Sequence, residues 1–178
     1  MNNDAQRLTK AFNFASQKHK EQRRKNPQQE PYIVHPAEVA NLIAQYTGGN
    51  DTNLIIAGLL HDTVEDVGVT FEEIEQEFGS DVAGLVREVT DDKTLEKQER
   101  KRLQIEHAAH ATPRAKVLKL ADKTANLEDQ LRIAPEGWST ARIDEYFNWS
   151  KSVVDQVRGV CPDLEARFDR AYKARMCP

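Results

Sequence analysis

Cysteine occurs only twice in 178 residues, at Cys161 and Cys177. Two thiols build neither a disulfide framework nor a thiolate zinc site. Glycine and proline are scarce, at 8 and 7, so they punctuate elements and do not pervade a fibrous or disordered chain. Long apolar runs are missing too. The longest, Leu54-Ile55-Ile56-Ala57-Gly58-Leu59-Leu60, is far short of the ~20 residues that cross a bilayer. The opening Met1-Asn2-Asn3-Asp4 has no apolar segment behind it, so no secretory signal is expected. A surplus of positive charge is absent. Lys plus Arg number 25 against 29 for Asp plus Glu, a formal net charge of −4. That disfavours a polycation gripping nucleic acid through counterion release. Alternating β-branched patterns are nearly absent, and no 20- to 50-residue period recurs. What is left is a soluble globular chain, expected in a reducing cytoplasm with neither a membrane nor a nucleic-acid partner. It is expected to be one domain over residues 1–178, since domains run to about 150 residues.

Spacing of apolar residues at 3.6-residue intervals runs through the chain and predicts an all-α fold of nine or ten helices. Residues 5–20 place Leu8, Ala11, Phe12 and Ala15 on one stripe. Residues 22–32 read as a basic, proline-bearing loop. A helix follows from about Pro36 to Tyr46, ended by Gly48-Gly49. Residues 52–62 are apolar nearly all round, the mark of a buried central helix. Thr70 and Glu73 have the spacing of a capping box. Ser80 reads as the cap of the next helix, with Val82, Leu85, Val86 and Val89 inward. Residues 95–110 form a charged helix. Thr112-Pro113 is a cap followed by proline at the first helical position, opening a helix to about Leu131. Ser139 starts a further helix, expected to run until Cys161-Pro162 breaks it.

The chemistry concentrates in a few polar residues set in apolar surroundings. His61-Asp62 closes the most apolar helix, where an ionised carboxylate is costly unless paired or coordinated. Asp122 sits on the stripe Leu118, Ala121, Asp122, Ala125. His35 stands just before Pro36. One at a time, His61 reads as a satisfied core histidine, and Asp62 and Asp122 as a cap or a buried ion pair. Together, two imidazoles and two carboxylates read as a mixed N/O site for Mn²⁺, Fe²⁺ or Zn²⁺ rather than Ca²⁺. Such an ion would leave positions for water and a phosphoryl oxygen. Glu65-Asp66 follows, expected in a loop past a helix end near Val64. These acids read either as a solvated turn or as groups that orient water and take its proton.

Two basic clusters flank this acidic centre: Arg23-Arg24-Lys25, and Lys93, Lys97, Arg100, Lys101 and Arg102. Each reads as a solvated charged face or as phosphate-gripping charge for a small polyphosphate. Asn126, one turn after Asp122, can reach a ribose or phosphate, and Tyr32 can stack on a base. His19, His107 and His110 read as surface or helix-face residues. Trp138, Trp149 and Phe147 read as core or turn packing, and Tyr146 as a possible edge of a nucleotide pocket.

The order His35, His61-Asp62, Asp122 resembles the HD-domain metal phosphohydrolases. The strings RRK at 23–25, PYIVHP at 31–36, LLHDTVED at 59–66, TDDKT at 90–94, ERKRLQ at 99–104, LADKTANL at 120–127 and PEGWS at 135–139 narrow the likeness. They resemble the hydrolase domain of the RelA/SpoT proteins, in the short stand-alone form of the small alarmone hydrolases and metazoan SpoT homologues. The resemblance implies an all-helical HD domain that removes the 3′-pyrophosphate of ppGpp or pppGpp, giving GDP or GTP. It implies Mn²⁺ held by His35, His61, Asp62 and Asp122, and water activated by Glu65 and Asp66. Arg24 and Tyr32 would lie near guanine; Lys25, Lys97, Arg102 and Asn126 would contact sugar or phosphate. With no synthetase domain after it, the chain is expected to degrade the alarmone and not to make it. The alternatives are an HD phosphatase acting on NADPH or another nucleotide, and a non-catalytic nucleotide sensor. Ala125 and Glu96 depart from the family's usual residues, beside the expected substrate wall.

Overall fold

The computed structural model describes residues 4–176; residues 1–3 of the polar opening segment and Cys177 lie outside them. Ten helices follow one another: α1 (Asp4–Lys18), α2 (Val34–Tyr46), α3 (Thr52–Leu60), α4 (Thr63–Val67), α5 (Phe71–Phe78), α6 (Ser80–Val89), α7 (Lys97–His110), α8 (Pro113–Arg132), α9 (Thr140–Val154) and α10 (Pro162–Met176). Among the described residues there is no strand, and an isolated bridge between Arg23 and Pro31 ties the loop joining α1 to α2. No described helix is long and apolar enough to cross a membrane.

The all-round apolar segment behaves as its composition dictates. Every residue of α3 from Leu54 to Leu60 is buried, and α1, α2, α6 and α8 pack around it. Asp51 caps it, accepting from the Leu54 N–H at 3.0 Å. Gly58 allows α2 to come close: a Cβ there would stand 2.8 Å from Ile43 Cδ1 and 3.2 Å from Ala40 Cα. On its other side α8 is covered by α9 and α10, and Thr112 caps it by accepting from the Ala115 N–H.

Local signals were overridden by tertiary contacts in several places. Ala11 and Ala15 face the core, but Phe12 is 46 % exposed. Phe14 turns inward instead, edge-on to Phe78 at 5.3 Å between ring centres. Thr70 caps α5, yet the Glu73 carboxylate does not return to it and pairs with Lys18 Nζ at 2.8 Å. Gly79, at φ 95°, takes the cap position before α6, so Ser80 is the first helical residue and caps nothing. The ninth helix stops at Val154, well before Cys161. Glu165 Oε1 explains the early end: it accepts the N–H groups of Gly159, Val160 and Cys161, at 2.8, 3.1 and 3.2 Å. Those groups therefore need no helical partner. His19 is not a surface residue but 2 % exposed.

Candidate active site

Three helix ends and one helix middle converge. His35 lies in the first turn of α2, His61 and Asp62 occupy the break between α3 and α4, and Asp122 lies midway along α8. The break is built locally. Thr63 Oγ1 donates to Leu60 O at 2.7 Å where α3 ends, and the one-turn helix α4 starts at Thr63. Glu65 and Asp66 consequently sit on this short helix rather than in a loop, and Gly68, at φ 73°, closes it.

The four side chains meet. His35 Nε2 is 3.2 Å from Asp122 Oδ1 and 3.6 Å from Asp62 Oδ2; His61 Nε2 is 3.1 Å from Asp62 Oδ2 and 3.8 Å from Asp122 Oδ1. One atom each from His35, His61 and Asp62 falls within 4.8 Å of the others, a spacing that suits a shared ion. His61 Nδ1 lies 2.8 Å from Gly58 O and donates to it, which turns Nε2 toward the carboxylates. That nitrogen is buried and, among the described residues, has no hydrogen-bond partner of good geometry. Two carboxylate oxygens and the imidazole nitrogens converging in a buried place need positive charge among them; without metal the carboxylates hold a proton on His61 against the cost of burial, and a divalent ion suits the same place.

The surroundings keep the two carboxylates ionised and, without metal, hold on His61 a proton that a bound ion would displace. Burial opposes ionisation of Asp62 and Asp122, but protonated His61 outweighs it at Asp62, and Lys123 Nζ, at 3.1 Å, does so at Asp122 together with the imidazoles. Both carboxyls are held well below the usual range. Tyr32 is pushed far up by burial and by the charges of Asp62 and Asp66. It stays protonated and donates to Asp62 Oδ2 at 2.7 Å. Asn126 Nδ2 donates to Asp122 Oδ1 at 2.6 Å. Glu65 is raised by burial and then by the charges of Asp91 and Asp62, which makes it a stronger base than a free carboxylate. Asp66 has both oxygens occupied, Oδ1 by Lys93 Nζ at 2.7 Å and Oδ2 by Gln22 Nε2 at 2.9 Å.

Several connected hollows surround this centre. The innermost, about 230 Å³, holds all six residues together with Tyr32, Lys119, Lys123 and Asn126. A second, about 280 Å³, is walled by Arg24, Lys25, Tyr32, Trp138 and Tyr146 and shares Asp66 and Asn126 with the first. A third, about 670 Å³, shares Glu65 and is lined by Lys25, Lys97, Arg100, Lys101, Arg142 and the rings of Trp138, Tyr146 and Trp149.

Of the expected substrate residues, Arg24, Lys25, Tyr32, Lys97 and Asn126 line these hollows. Arg24 does so while bound to Asp129 at 2.6 Å. Arg102 does not. Its guanidinium is half exposed and pairs with Glu99 at 2.6 Å and with Glu106, on the outer face of α7. Its neighbours Arg100 and Lys101 turn inward instead. Trp138 and Trp149 are not merely packing. Arg142 lies 4.1 Å over the Trp138 ring and Lys123 4.5 Å over Trp149, so the aromatic wall is cationic as well. Lys119 and Lys123 escaped the sequence reading. One available signal was their i, i+4 spacing astride Asp122.

An all-helical domain carrying a His/Asp cluster suited to a divalent ion is the class that fold and site define. Residues 11–142 match the HD-domain family model, and the chain belongs to the HD-domain family, which implies a divalent metal. It is 54 % identical over 172 residues to the guanosine-3′,5′-bis(diphosphate) 3′-pyrophosphohydrolase MESH1 of Xenopus tropicalis, covering 97 % of this chain and 96 % of that one. It is 49 % identical to the MESH1 of Homo sapiens, covering 98 % of each. A solved structure described as a metazoan ortholog of SpoT that hydrolyzes ppGpp superposes with a TM-score of 0.93 at 48 % identity, covering 97 % of both chains. A Listeria monocytogenes structure aligns at 0.67 and 30 % identity, over 82 % of this chain and 98 % of that one.

Proposed function

We propose that this chain is a divalent-metal-dependent hydrolase that removes the 3′-pyrophosphate of ppGpp or pppGpp, releasing pyrophosphate with GDP or GTP. The observation that carries the reading is the convergence of four donors from α2, the α3–α4 break and α8 beside two further acids. The activity of relatives that match nearly all of this chain supports it. His35, His61, Asp62 and Asp122 would hold the ion, and their mixed imidazole and carboxylate chemistry suits Mn²⁺. When bound, such an ion supplies Lewis-acid stabilisation of phosphoryl charge and lowers the pKa of water.

The chain's own side chains do the rest. Glu65, with its raised proton affinity, takes the proton of the attacking water, and Asp66 orients it. Lys25, Lys97 and Asn126 grip sugar and phosphates, helped by Arg100 and Lys101, and their charge offsets the acidic centre. Tyr32, Trp138 and Tyr146 offer ring faces to the base. Residues 1–178 are taken as one domain, since α9 and α10 pack on α8.

The test is to load metal-free protein with Mn²⁺, Fe²⁺ or Zn²⁺ and assay a nucleotide panel for released pyrophosphate and orthophosphate. Pyrophosphate from ppGpp, greatest with Mn²⁺, is expected. Orthophosphate from NADPH alone would favour the phosphatase alternative. Tight ppGpp binding without turnover in every metal would favour a sensor.

A further inference from the structure

Asp66 is reached from α1 by a short chain of polar contacts. His19 follows the last residue of α1, and its ring is buried. Its Nδ1 lies 2.6 Å from Gln22 Oε1, and Gln22 Nε2 lies 2.9 Å from Asp66 Oδ2. The chemistry of the groups fixes the protons. A carboxylate oxygen only accepts, so the Gln22 nitrogen must face it; the Gln22 oxygen then faces His19 and only accepts, so Nδ1 carries the hydrogen. Among the described residues His19 Nε2 is buried without a partner, so the hydrogen bond the imidazole makes there goes to Gln22.

The backbone makes this chain stiff. The Gln22 N–H donates to His19 O at 2.9 Å, and its carbonyl accepts from the Tyr32 N–H at 3.0 Å. The His19 ring also packs on Tyr32, with centres 5.0 Å apart, and Tyr32 is the residue that donates to Asp62. By contrast, the other tether on Asp66 is Lys93, a long side chain about half exposed. A solvated lysine holds a carboxylate loosely, so the fixed half of the Asp66 environment is the glutamine.

We propose that Gln22 and His19 are positioning residues that set the orientation of Asp66, Gln22 directly and His19 by locking the Gln22 amide. This rests on reading Asp66 as the group that orients the attacking water. Each Asp66 oxygen spends one lone pair on its tether and keeps another for water. Without the Gln22 donor the carboxylate can turn about its terminal bond, and the water follows it off line. Gln22 also lines the second hollow, but the cations and rings that grip the nucleotide are other side chains, so binding changes far less than turnover.

The experiment is steady-state ppGpp hydrolysis by the metal-loaded full chain with Gln22→Met, His19→Phe, His19→Asn and Asp66→Asn, plus the double variant Gln22→Met/Asp66→Asn. Gln22→Met should lower kcat about 10- to 100-fold, the usual cost of losing a supporting contact to a site, with KM changed far less and metal content and melting temperature unchanged. His19→Phe should lower kcat in the same direction. His19→Asn, which puts an N–H where Nδ1 stands, should recover most of it. In the Asp66→Asn background Gln22→Met should cost nothing further, since contacts that act through one group are not additive. A penalty undiminished in that background, a KM rise in place of a kcat loss, or wild-type kcat in Gln22→Met would overturn the proposal. If Asp66→Asn itself kept full turnover, the reading of Asp66 would fall and take the proposal with it. A kcat loss in Asp66→Asn with none in Gln22→Met removes the positioning role alone. Should His19→Phe fail to fold, the Gln22 variant on its half-exposed loop decides the matter.

Discussion

Asp62 and Glu65 stand in one short stretch of chain but in unlike surroundings, and this separates their expected failures. Asp62 faces two imidazoles, and its carboxyl is held low against burial. Glu65 faces Asp91, with its carboxyl raised by burial first and repulsion second. Asp62→Ala should therefore abolish metal occupancy in elemental analysis. Glu65→Gln should keep the metal and lose turnover by about 10²- to 10⁴-fold, the span of general-base contributions. The pH response follows from the sign. A base must be ionised to act, and a raised carboxyl takes up its proton at a higher pH than a free one. The acid limb of kcat against pH should accordingly lie above the ordinary Glu value of 4.5 and disappear in Glu65→Gln. The same shift means that in metal-free protein the folded chain binds more protons at Glu65 than the unfolded one. Stability from this group is thus fullest below the unfolded value and is lost as pH rises through the folded one. Metal-free Glu65→Gln should melt higher than wild type at neutral pH, a cost of function visible in calorimetry. The HD dipeptide and the acids after it were legible because ionisable groups beside an apolar run demand an explanation. Lys119 and Lys123 were not, because a lysine on a helix is ordinarily solvated, and only the packing of α8 reveals that both are buried.

At the scale of elements, the site depends on how closely α2 and α3 approach, because one carries His35 and the other ends at His61. Gly58 sets that approach and also offers its carbonyl to His61. Gly58→Ala would place a methyl against Ile43 Cδ1, which can swing away, and against the Ala40 backbone, which cannot without moving the helix. Overpacking of this kind costs about 1–3 kcal/mol. The variant should melt at a lower temperature and, at a temperature where it is still folded, bind Mn²⁺ more weakly in a calorimetric titration. A lower melting temperature with unchanged metal affinity would mean that α2 shifts without dragging His35. The elements themselves were readable where one signal dominated: the apolar run of α3, the Thr112-Pro113 start of α8, the Ser139 cap of α9. They misled where two signals were nearly equal. Phe12 and Phe14 flank the same alanine stripe, and only the position of Phe78 on α5 decides which ring is buried. The end of α9 was set by Glu165, a residue beyond the expected break, and no local pattern announces such a contact.

The whole molecule carries −4, yet the hollows around the site concentrate cations. A cleft of one sign inside a body of the other focuses its field over a short range, and that range shortens as salt is added. A nucleotide with two pyrophosphate groups should feel this in binding far more than in the chemical step, which takes place among buried groups that salt screens poorly. KM for ppGpp should rise with ionic strength while kcat holds nearly steady. The charged helix α7 makes the argument local. Lys97, Arg100 and Lys101 line the largest hollow, whereas Arg102, three carboxylate contacts deep on the outer face, does not. Lys97→Ala should raise KM and flatten its salt dependence, and Arg102→Ala should change neither, although the two side chains carry the same charge on the same helix. Equal effects of the two substitutions would mean that the substrate answers to the net charge of the helix rather than to the side chains that face it.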